Sequence, residues 1–393
     1  MRICIIYDRI HPLTLGGAER WTTGIAQRLA EQGHQVTYLT MRHWNRSVEP
    51  SIPGVRLVTV GPQVEHYSRT RRRIFPPLIF GGAVFAHLLR HGRSYDFVHA
   101  VSFPYFSVLA AGVLRALGRY RLRVDWFEVW TREYWREYLG TLGGAVGWLV
   151  QLLCIRFTQE AGCFSRLHSR RLRDHGLRAE IQLLGGLYEG GFSRSATASV
   201  EPLLVYAGRF IPEKRVPLVV LAFAEARQTL PNLRCEIYGD GPEREEVEGI
   251  ISARGLESVV QIAGFVDDET VERALGRALC LILPSRREGY GLVVVEAAAR
   301  GTPSIVVQEP DNAATELIEP GRNGFIVGSA SPAALADAIC KAYEAGAALR
   351  ESTAAWFQEN ARRLSLEASL AQVVQSYQKV PPRIKAESDT SPL

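Results

Sequence analysis

Glu288 and Glu296 stand with seven residues between them in the segment Glu288-Gly-Tyr-Gly-Leu-Val-Val-Val-Glu296. The apolar run Cys280-Leu-Ile-Leu283 reads as a buried strand ended by Pro284, and Leu292 to Arg300 has helical spacing closed by Gly301 and Pro303. Glu288 therefore falls in a strand-to-helix loop, and Glu296 one turn into the helix. Gly289 and Gly291 let the backbone take positive φ angles and let a ligand approach closely, while the unpaired N–H groups of the first helical turn carry the positive end of the helix dipole. Such a turn suits a phosphate. A carboxylate touching that phosphate would repel it, so each glutamate is better suited to accepting hydrogen bonds from hydroxyls on either side. A nucleotide sugar has this layout, with ribose hydroxyls, a diphosphate and then sugar hydroxyls. Taken singly, either residue reads more simply as a solvated surface acid. The pair together with the glycines points to a ligand.

The segment resembles the E-x7-E signature of the retaining GT-B glycosyltransferases of family 4, the glycosyl transferases group 1. The resemblance implies that Glu288 contacts hydroxyls of the donor sugar and Glu296 the ribose, with Gly289, Tyr290, Gly291, Leu292 and Val293 lining the donor site. Three further stretches follow in the expected order. Leu15-Gly-Gly-Ala-Glu19 after the strand Arg2 to Tyr7 resembles the family's GGAE loop, which places Gly16 and Gly17 toward the donor phosphates. Gly208-Arg-Phe-Ile-Pro-Glu-Lys214, between a strand and a helix beginning at Val216, resembles the G-R-x4-K segment, in which Arg209 and Lys214 neutralise the diphosphate. Glu236 to Pro242 and Val260 to Phe265 resemble the strand ends walling the nucleoside pocket, with Gly239, Gly264, Phe265 and Val266 beside the base.

Catalysis departs from that pattern. Asp96-Phe-Val-His-Ala-Val101 keeps His99 but has Val101 where many members carry a second histidine, and Trp126-Phe-Glu-Val-Trp130 has Phe127 where a related subset has histidine. Asp125 and Glu128 remain as polar groups near the expected cleft. Glu128 is the candidate for accepting the acceptor proton or orienting the sugar, and His99 for lying against it or packing at its strand end. A front-face reaction needs no protein base if the leaving diphosphate takes the proton itself. Stabilising that leaving group is then the protein's main task. No cofactor or metal is expected, since the chain has no Asp-x-Asp triplet and Asp267-Asp268 reads as an acidic helix start.

Positioning these groups requires strands and helices in alternation, which runs through the whole chain and argues for α/β architecture with doubly wound parallel sheets. Strands are expected at residues 3–7, 35–39, 55–60, 97–100, 122–126 and 162–164, and again at 203–207, 235–238, 259–263, 279–283, 304–307 and 325–327. The expected fold is GT-B, two Rossmann-like domains facing across a cleft. Residues 1–192 would form the acceptor domain, 193–202 a linker, 203–363 the nucleotide-sugar domain, 364–380 a helix crossing back, and 381–393 a disordered tail.

Composition bounds the partners. The 393 residues are 47% hydrophobic, ample for two cores. Six scattered cysteines read as core thiols in a reducing compartment, and neither a leader nor an apolar run long enough for a membrane span is expected, so a cytoplasmic protein is anticipated. Through Ser195 the chain has 26 Arg and no Lys against 14 acids; beyond it, 20 basic residues face 27 acids. A cationic acceptor half favours a hydroxyl acceptor that is anionic or lipid-linked, with peripheral contact at the inner face of a membrane through Arg69 to Arg73. No nucleic-acid motif accompanies the charge. The expected function is transfer of a hexose-type sugar from a UDP- or GDP-sugar to a hydroxyl, in cell-envelope glycan or glycosylated-metabolite biosynthesis. A sugar-nucleotide epimerase and a non-catalytic nucleotide-sugar binding protein stand as alternatives.

Overall fold

The strand β1 (Arg2–Ile6) is apolar on both sides: Ile3 and Ile5 enter one core, Cys4 and Ile6 another. A strand buried on both faces belongs inside a parallel sheet. The structure is a computed structural model describing residues 1–14, 16–45, 47, 49–63, 75–190 and 200–378. In the first half β1 is joined by β2 (Gln35–Thr40), β3 (Val55–Thr59), β4 (Phe97–Val101), β5 (Arg121–Trp126), β6 (Glu160–Cys163) and β7 (Ile181–Leu183). All pair in parallel in the order β3-β2-β1-β4-β5-β6-β7. The helices are α1 (Gly17–Glu31), α2 (Phe75–His91), α3 (Tyr105–Gly118), α4 (Arg132–Arg156) and α5 (Arg166–Asp174). The chain steps outward from β1 to β3, then returns past β1 to β4. Right-handed crossovers therefore put α1 on one face, and α2, α3 and α4 side by side on the other.

The second half repeats this plan. Its strands are β8 (Leu203–Ala207), β9 (Arg234–Tyr238), β10 (Val260–Gly264), β11 (Cys280–Leu283), a two-residue β12 (Arg287–Glu288), β13 (Ser304–Val307), a two-residue β14 (Asp311–Asn312) and β15 (Gly324–Val327). The main sheet is ordered β10-β9-β8-β11-β13-β15, and β12 pairs only with β14. Helices α6 (Val216–Thr229), α7 (Arg244–Ala253), α8 (Asp268–Arg277) and α9 (Leu292–Ala299) alternate with these strands. The chain ends in α10 (Pro332–Leu364), broken at Gly346, and α11 (Leu366–Gln378). This α/β architecture of two doubly wound sheets is GT-B. The direction of winding reverses between β1 and β4, and between β8 and β11. Ligands of such sheets bind outside the carboxyl ends of the strands at these reversals.

Two expectations need correction. The pattern gave no sign of β7, β12 or β14, which are three, two and two residues long and too short to show alternation. By length and composition α4 is apolar enough to cross a membrane, contrary to the reading that no run reaches that length. Within the fold, however, its Tyr134, Trp135, Gln151, Cys154 and Ile155 are buried, and Gly140 interrupts it.

α11 lies against the first domain. Tyr377 bonds His99 at 2.7 Å, the Gln182 side chain donates to the Gln372 carbonyl, and Ser369 Oγ accepts from Gly186 N. The arginines expected to touch a membrane, at 69 and 71–73, lie outside the described residues, as do most of the expected linker and the whole tail.

Candidate functional site

The loop leaving β11 carries Glu288 into a buried position, 8% exposed. Burying a carboxylate is costly unless it is paired, and two groups meet this one. Lys214 Nζ lies 2.5 Å from Oε1, and Ser285 Oγ donates to the same oxygen at 2.8 Å. Lys214 comes from the loop leaving β8, so the two strands flanking the reversal supply the two charges. The β12–β14 pairing fixes the loop from the other side. There Asn312 donates to the carbonyls of Ser285 and Val307 and accepts from Ala314 N.

The same loop runs on into α9 through Gly291, whose φ of 96° is the left-handed region that glycine alone enters cheaply. Among the described residues no side chain caps this helix start, and none caps α1 at Gly16. The first N–H groups of α9 therefore carry an uncapped positive helix end, and at α1 the first-turn carboxylate of Glu19 lies over the corresponding one. Glu296, in the second turn of α9, pairs with Arg20 of α1 at 3.0 Å, and Arg20 also holds Asp268 at 2.7 Å. Burial raises the Glu296 carboxyl above the usual range, with Arg20 working against that shift. Gly16 and Gly17 thus begin the helix that reaches Glu296. A Cβ on Gly16 would strike the Glu19 carboxylate, which folds over this helix start.

Opposite Glu288 stands the segment after β5. A Cβ on Gly289 would lie 2.7 Å from the Phe127 carbonyl oxygen and 2.9 Å from Glu128 Cγ, so only glycine allows the two halves this approach. Phe127 stacks on Phe164 with ring centroids 4.5 Å apart. Glu128 accepts from the Trp130 indole at 2.8 Å and lies 3.2 Å from Arg287 Nε. Burial opposes its charge, but Arg287, His168 and the indole together hold the carboxyl below the usual range. Arg287 in turn lies 3.8 Å from the Tyr134 ring centroid, and Tyr134 donates to Glu213.

His168, in the second residue pair of α5, is wholly buried beside this junction. Its Nδ1 accepts from Val129 N at 3.2 Å, which places the proton on Nε2, and burial pushes its pKa down to about 4. Arg171 donates to the carbonyls of Val129 and Pro310 and pairs with Asp311, and Glu316 accepts from the N–H groups of Arg166 and Leu167. The two halves are thus tied close to Glu288.

Other expected site residues are placed differently. His99 is 2% exposed, with Nε2 on Asp125 at 2.7 Å and Nδ1 on the Tyr377 hydroxyl at 2.7 Å. Both ring nitrogens are occupied inside the sheet, so His99 is not brought to the cleft. Asp125 also binds Trp21 and Arg123; burial opposes its charge, but Arg123 and His99 outweigh it and bring its pKa down to about 2. The Tyr290 side chain is buried, donating to the Gly185 carbonyl at 3.1 Å. Leu292 and Val293 form the first turn of α9 with side chains partly packed on the core. Gly239 N donates to the Gly264 carbonyl at 2.8 Å, joining the carboxyl ends of β9 and β10; Phe265 beyond them is 64% exposed and Val266 half-buried. Arg209 is exposed, with no ion pair among the described residues. No cluster of potential metal ligands occurs among the described residues.

Sequence reasoning missed Arg20, Ser285, His168, Arg287 and Asn312. Arg20 directly follows the glycine loop, the one local signal that was available. Ser285 acts on Glu288 from three residues before it, and His168, Arg287 and Asn312 act through contacts between separate segments.

Comparison with known proteins bears on both halves. Residues 192–364 match the family described as glycosyl transferases group 1, and residues 15–182 match Glycosyltransferase Family 4. Both descriptions name glycosyl transfer. The chain is 34% identical over 138 residues to alpha-D-kanosaminyltransferase of Streptomyces kanamyceticus, covering 35% of each chain. It is 31% identical over 198 residues to D-inositol 3-phosphate glycosyltransferase of a Nocardioides species, covering 47% of this chain and 43% of that one. The matches thus span less than half the length of these relatives. Among solved structures, sucrose-phosphate synthase of Thermosynechococcus elongatus superposes with a TM-score of 0.78 at 20% identity, covering 96% of this chain and 98% of the other. HepE of Anabaena, in complex with UDP, gives 0.74 at 18% identity over 97% and 100% of the two chains. These likenesses establish the shared fold.

Proposed function

We propose that this chain, each half of which matches a glycosyltransferase family on a GT-B fold, moves a hexose-type sugar from a UDP- or GDP-sugar to an acceptor hydroxyl, with retention and without a metal. One observation carries the reading. The two spaced glutamates each sit on a cation, Glu288 on Lys214 and Glu296 on Arg20, around two uncapped helix starts at the winding reversals of the sheets.

In this account Glu296 accepts from the ribose hydroxyls and Glu288 from the sugar hydroxyls. The diphosphate lies between them, on the N–H groups of α9 and the Gly16-Gly17 turn. Lys214 and the free guanidinium of Arg209 take up the charge that grows on the diphosphate as the bond from the anomeric carbon to its oxygen breaks. The acceptor oxygen bonds to that carbon from the same face, and its proton passes to the departing phosphate oxygen. With His99 sealed in the sheet and Phe127 packed on Phe164, no histidine is needed for this step. Glu128, kept ionised beside Arg287, orients the acceptor instead.

The cationic first half favours an anionic acceptor, free or lipid-linked, in cell-envelope glycan or metabolite glycosylation. Six unpaired cysteines favour a reducing, cytoplasmic setting. The test is incubation with UDP-glucose, UDP-GlcNAc and GDP-mannose. Slow release of the nucleoside diphosphate from one of them is expected. Inversion at C2 without hydrolysis would make the chain an epimerase, and binding without turnover a nucleotide-sugar binding protein; either overturns the proposal.

A further inference from the structure

The outer layer of the first domain has an unusual surface. Beyond the break at Gly140, α4 turns Leu142, Val146, Leu149 and Leu153 to solvent, at 84%, 60%, 55% and 43% exposure. Their spacing of four, three and four residues is one continuous helical stripe. The neighbouring helices do the same: Phe85 and Leu89 stand out from α2, and Val113 and Leu117 from α3. Because α2, α3 and α4 lie side by side on one sheet face, the three stripes share one outward surface. A soluble chain rarely leaves so many large apolar side chains together unless something covers them.

The charges around this surface say what covers it. α2 and α3 contain no acidic residue, and residues 139–155 of α4 contain no charged residue at all. The exposed charges at the C-terminal ends of the three helices are arginines: Arg90 in the last turn of α2 and Arg93 beyond it, Arg119 after α3, and Arg156 at the end of α4. The acids of α4, Glu133 and Glu137, lie in its first two turns, before the break at Gly140, and Glu137 pairs with Arg286 of the other domain. An apolar centre with a cationic rim fits an anionic lipid surface, where the leucines enter the acyl boundary and the arginines meet the headgroups. A second copy fits poorly, since it would set arginine against arginine.

We propose that the outer face of α2, α3 and α4 docks this protein on an anionic membrane surface. The same helix α4 carries Tyr134 to the cleft, where it bonds Glu213, so the docked face adjoins the proposed acceptor side. The docking does not rest on the transfer reading, because binding to a bilayer requires no donor.

The test uses the full chain with phosphatidylcholine vesicles, with and without phosphatidylglycerol, and follows co-sedimentation. Binding to the anionic vesicles alone is expected, weakening as salt rises. The double variant Leu142→Glu/Leu149→Glu should lose roughly tenfold or more of that binding, while its melting temperature and its affinity for UDP stay unchanged. Val113→Glu/Leu117→Glu on α3 should do the same and guards against misfolding of the first variant. Absence of wild-type binding, or full binding by both variants, overturns the proposal. So does light scattering that finds the wild type dimeric and the variants monomeric, which would assign the face to a second copy.

Discussion

Arg20 and Glu296 belong to different domains, yet their side chains meet at 3.0 Å, each within the first two turns of a helix that no side chain caps. The ion pair holds two positive helix ends near one another and occupies the carboxylate assigned to the ribose. Its effect on that carboxylate is testable. Burial raises the Glu296 pKa and Arg20 counteracts the rise. Only the ionised form has all its lone pairs free for ribose hydroxyls, so donor affinity falls as pH drops through this pKa. Arg20→Ala removes the counteracting cation and should move that loss of affinity to higher pH. Calorimetric titration of UDP across the acid range checks it; identical profiles would separate Arg20 from the function of Glu296.

Lys214 is shared, in this account, between Glu288 and the diphosphate. Lys214→Ala should lower turnover by roughly two orders of magnitude, the usual loss of one stabilising group at a leaving oxyanion. Nucleotide affinity should change much less, because the helix starts and Arg209 remain. Steady-state kinetics beside equilibrium UDP binding distinguish the two effects, and undiminished turnover would remove Lys214 from the site.

At Gly289 the backbone of the Glu288 loop approaches the other domain tightly. Gly289→Ala would push a methyl to 2.7 Å from the Phe127 carbonyl oxygen, closer than atoms pack. The loop bearing Glu288 must then shift away from the Phe127-Glu128 segment. Turnover should fall at least tenfold with little change in UDP affinity, since misplacing one reacting group costs rate before binding. A crystal structure of the variant with an unmoved loop and wild-type rate would refute this.

His168 gives the fold a pH dependence of definite sign. Its pKa lies near 4 in the folded chain against 6.5 in its ordinary state, so the unfolded chain binds the extra proton over that window. Stability from this group is complete above about 6.5 and is lost as pH falls toward about 4, by on the order of 3 kcal/mol at most. His168→Gln removes this proton uptake and should flatten the acid limb of the melting curve. His87, also pushed down to about 4 by burial, leaves a remaining slope in both proteins. An unchanged acid limb would place the proton uptake elsewhere.

Most of the architecture was legible because its signals are local. Ile3 to Ile6 announce a strand buried on both faces, and Asp267 behaves as a helix start, its carboxylate accepting from Thr270 N at 2.7 Å. Glu288 and Glu296 were legible for the same reason, since glycines and helix spacing fix their positions along the chain. Their partners were not. Arg20 reaches Glu296 from 276 residues away, and His168 meets Val129 only because the segment leaving β5 and the start of α5 lie beside one another. His99 shows the converse failure: its strand-end position resembles a site, but Asp125 and Tyr377 take both of its nitrogens. The β12–β14 contact is two residues on each strand and leaves no periodic trace, although it fixes the Glu288 loop.

In the proposed reaction Glu288 holds the donor sugar during transfer. Glu288→Gln preserves the shape of the side chain while removing its charge and the ion pair with Lys214, so the measurement is nucleoside diphosphate release by this variant beside wild type, with UDP binding measured in parallel. Turnover is expected to fall at least about a hundredfold, with UDP affinity changed by no more than a few fold. Wild-type turnover in Glu288→Gln would contradict it.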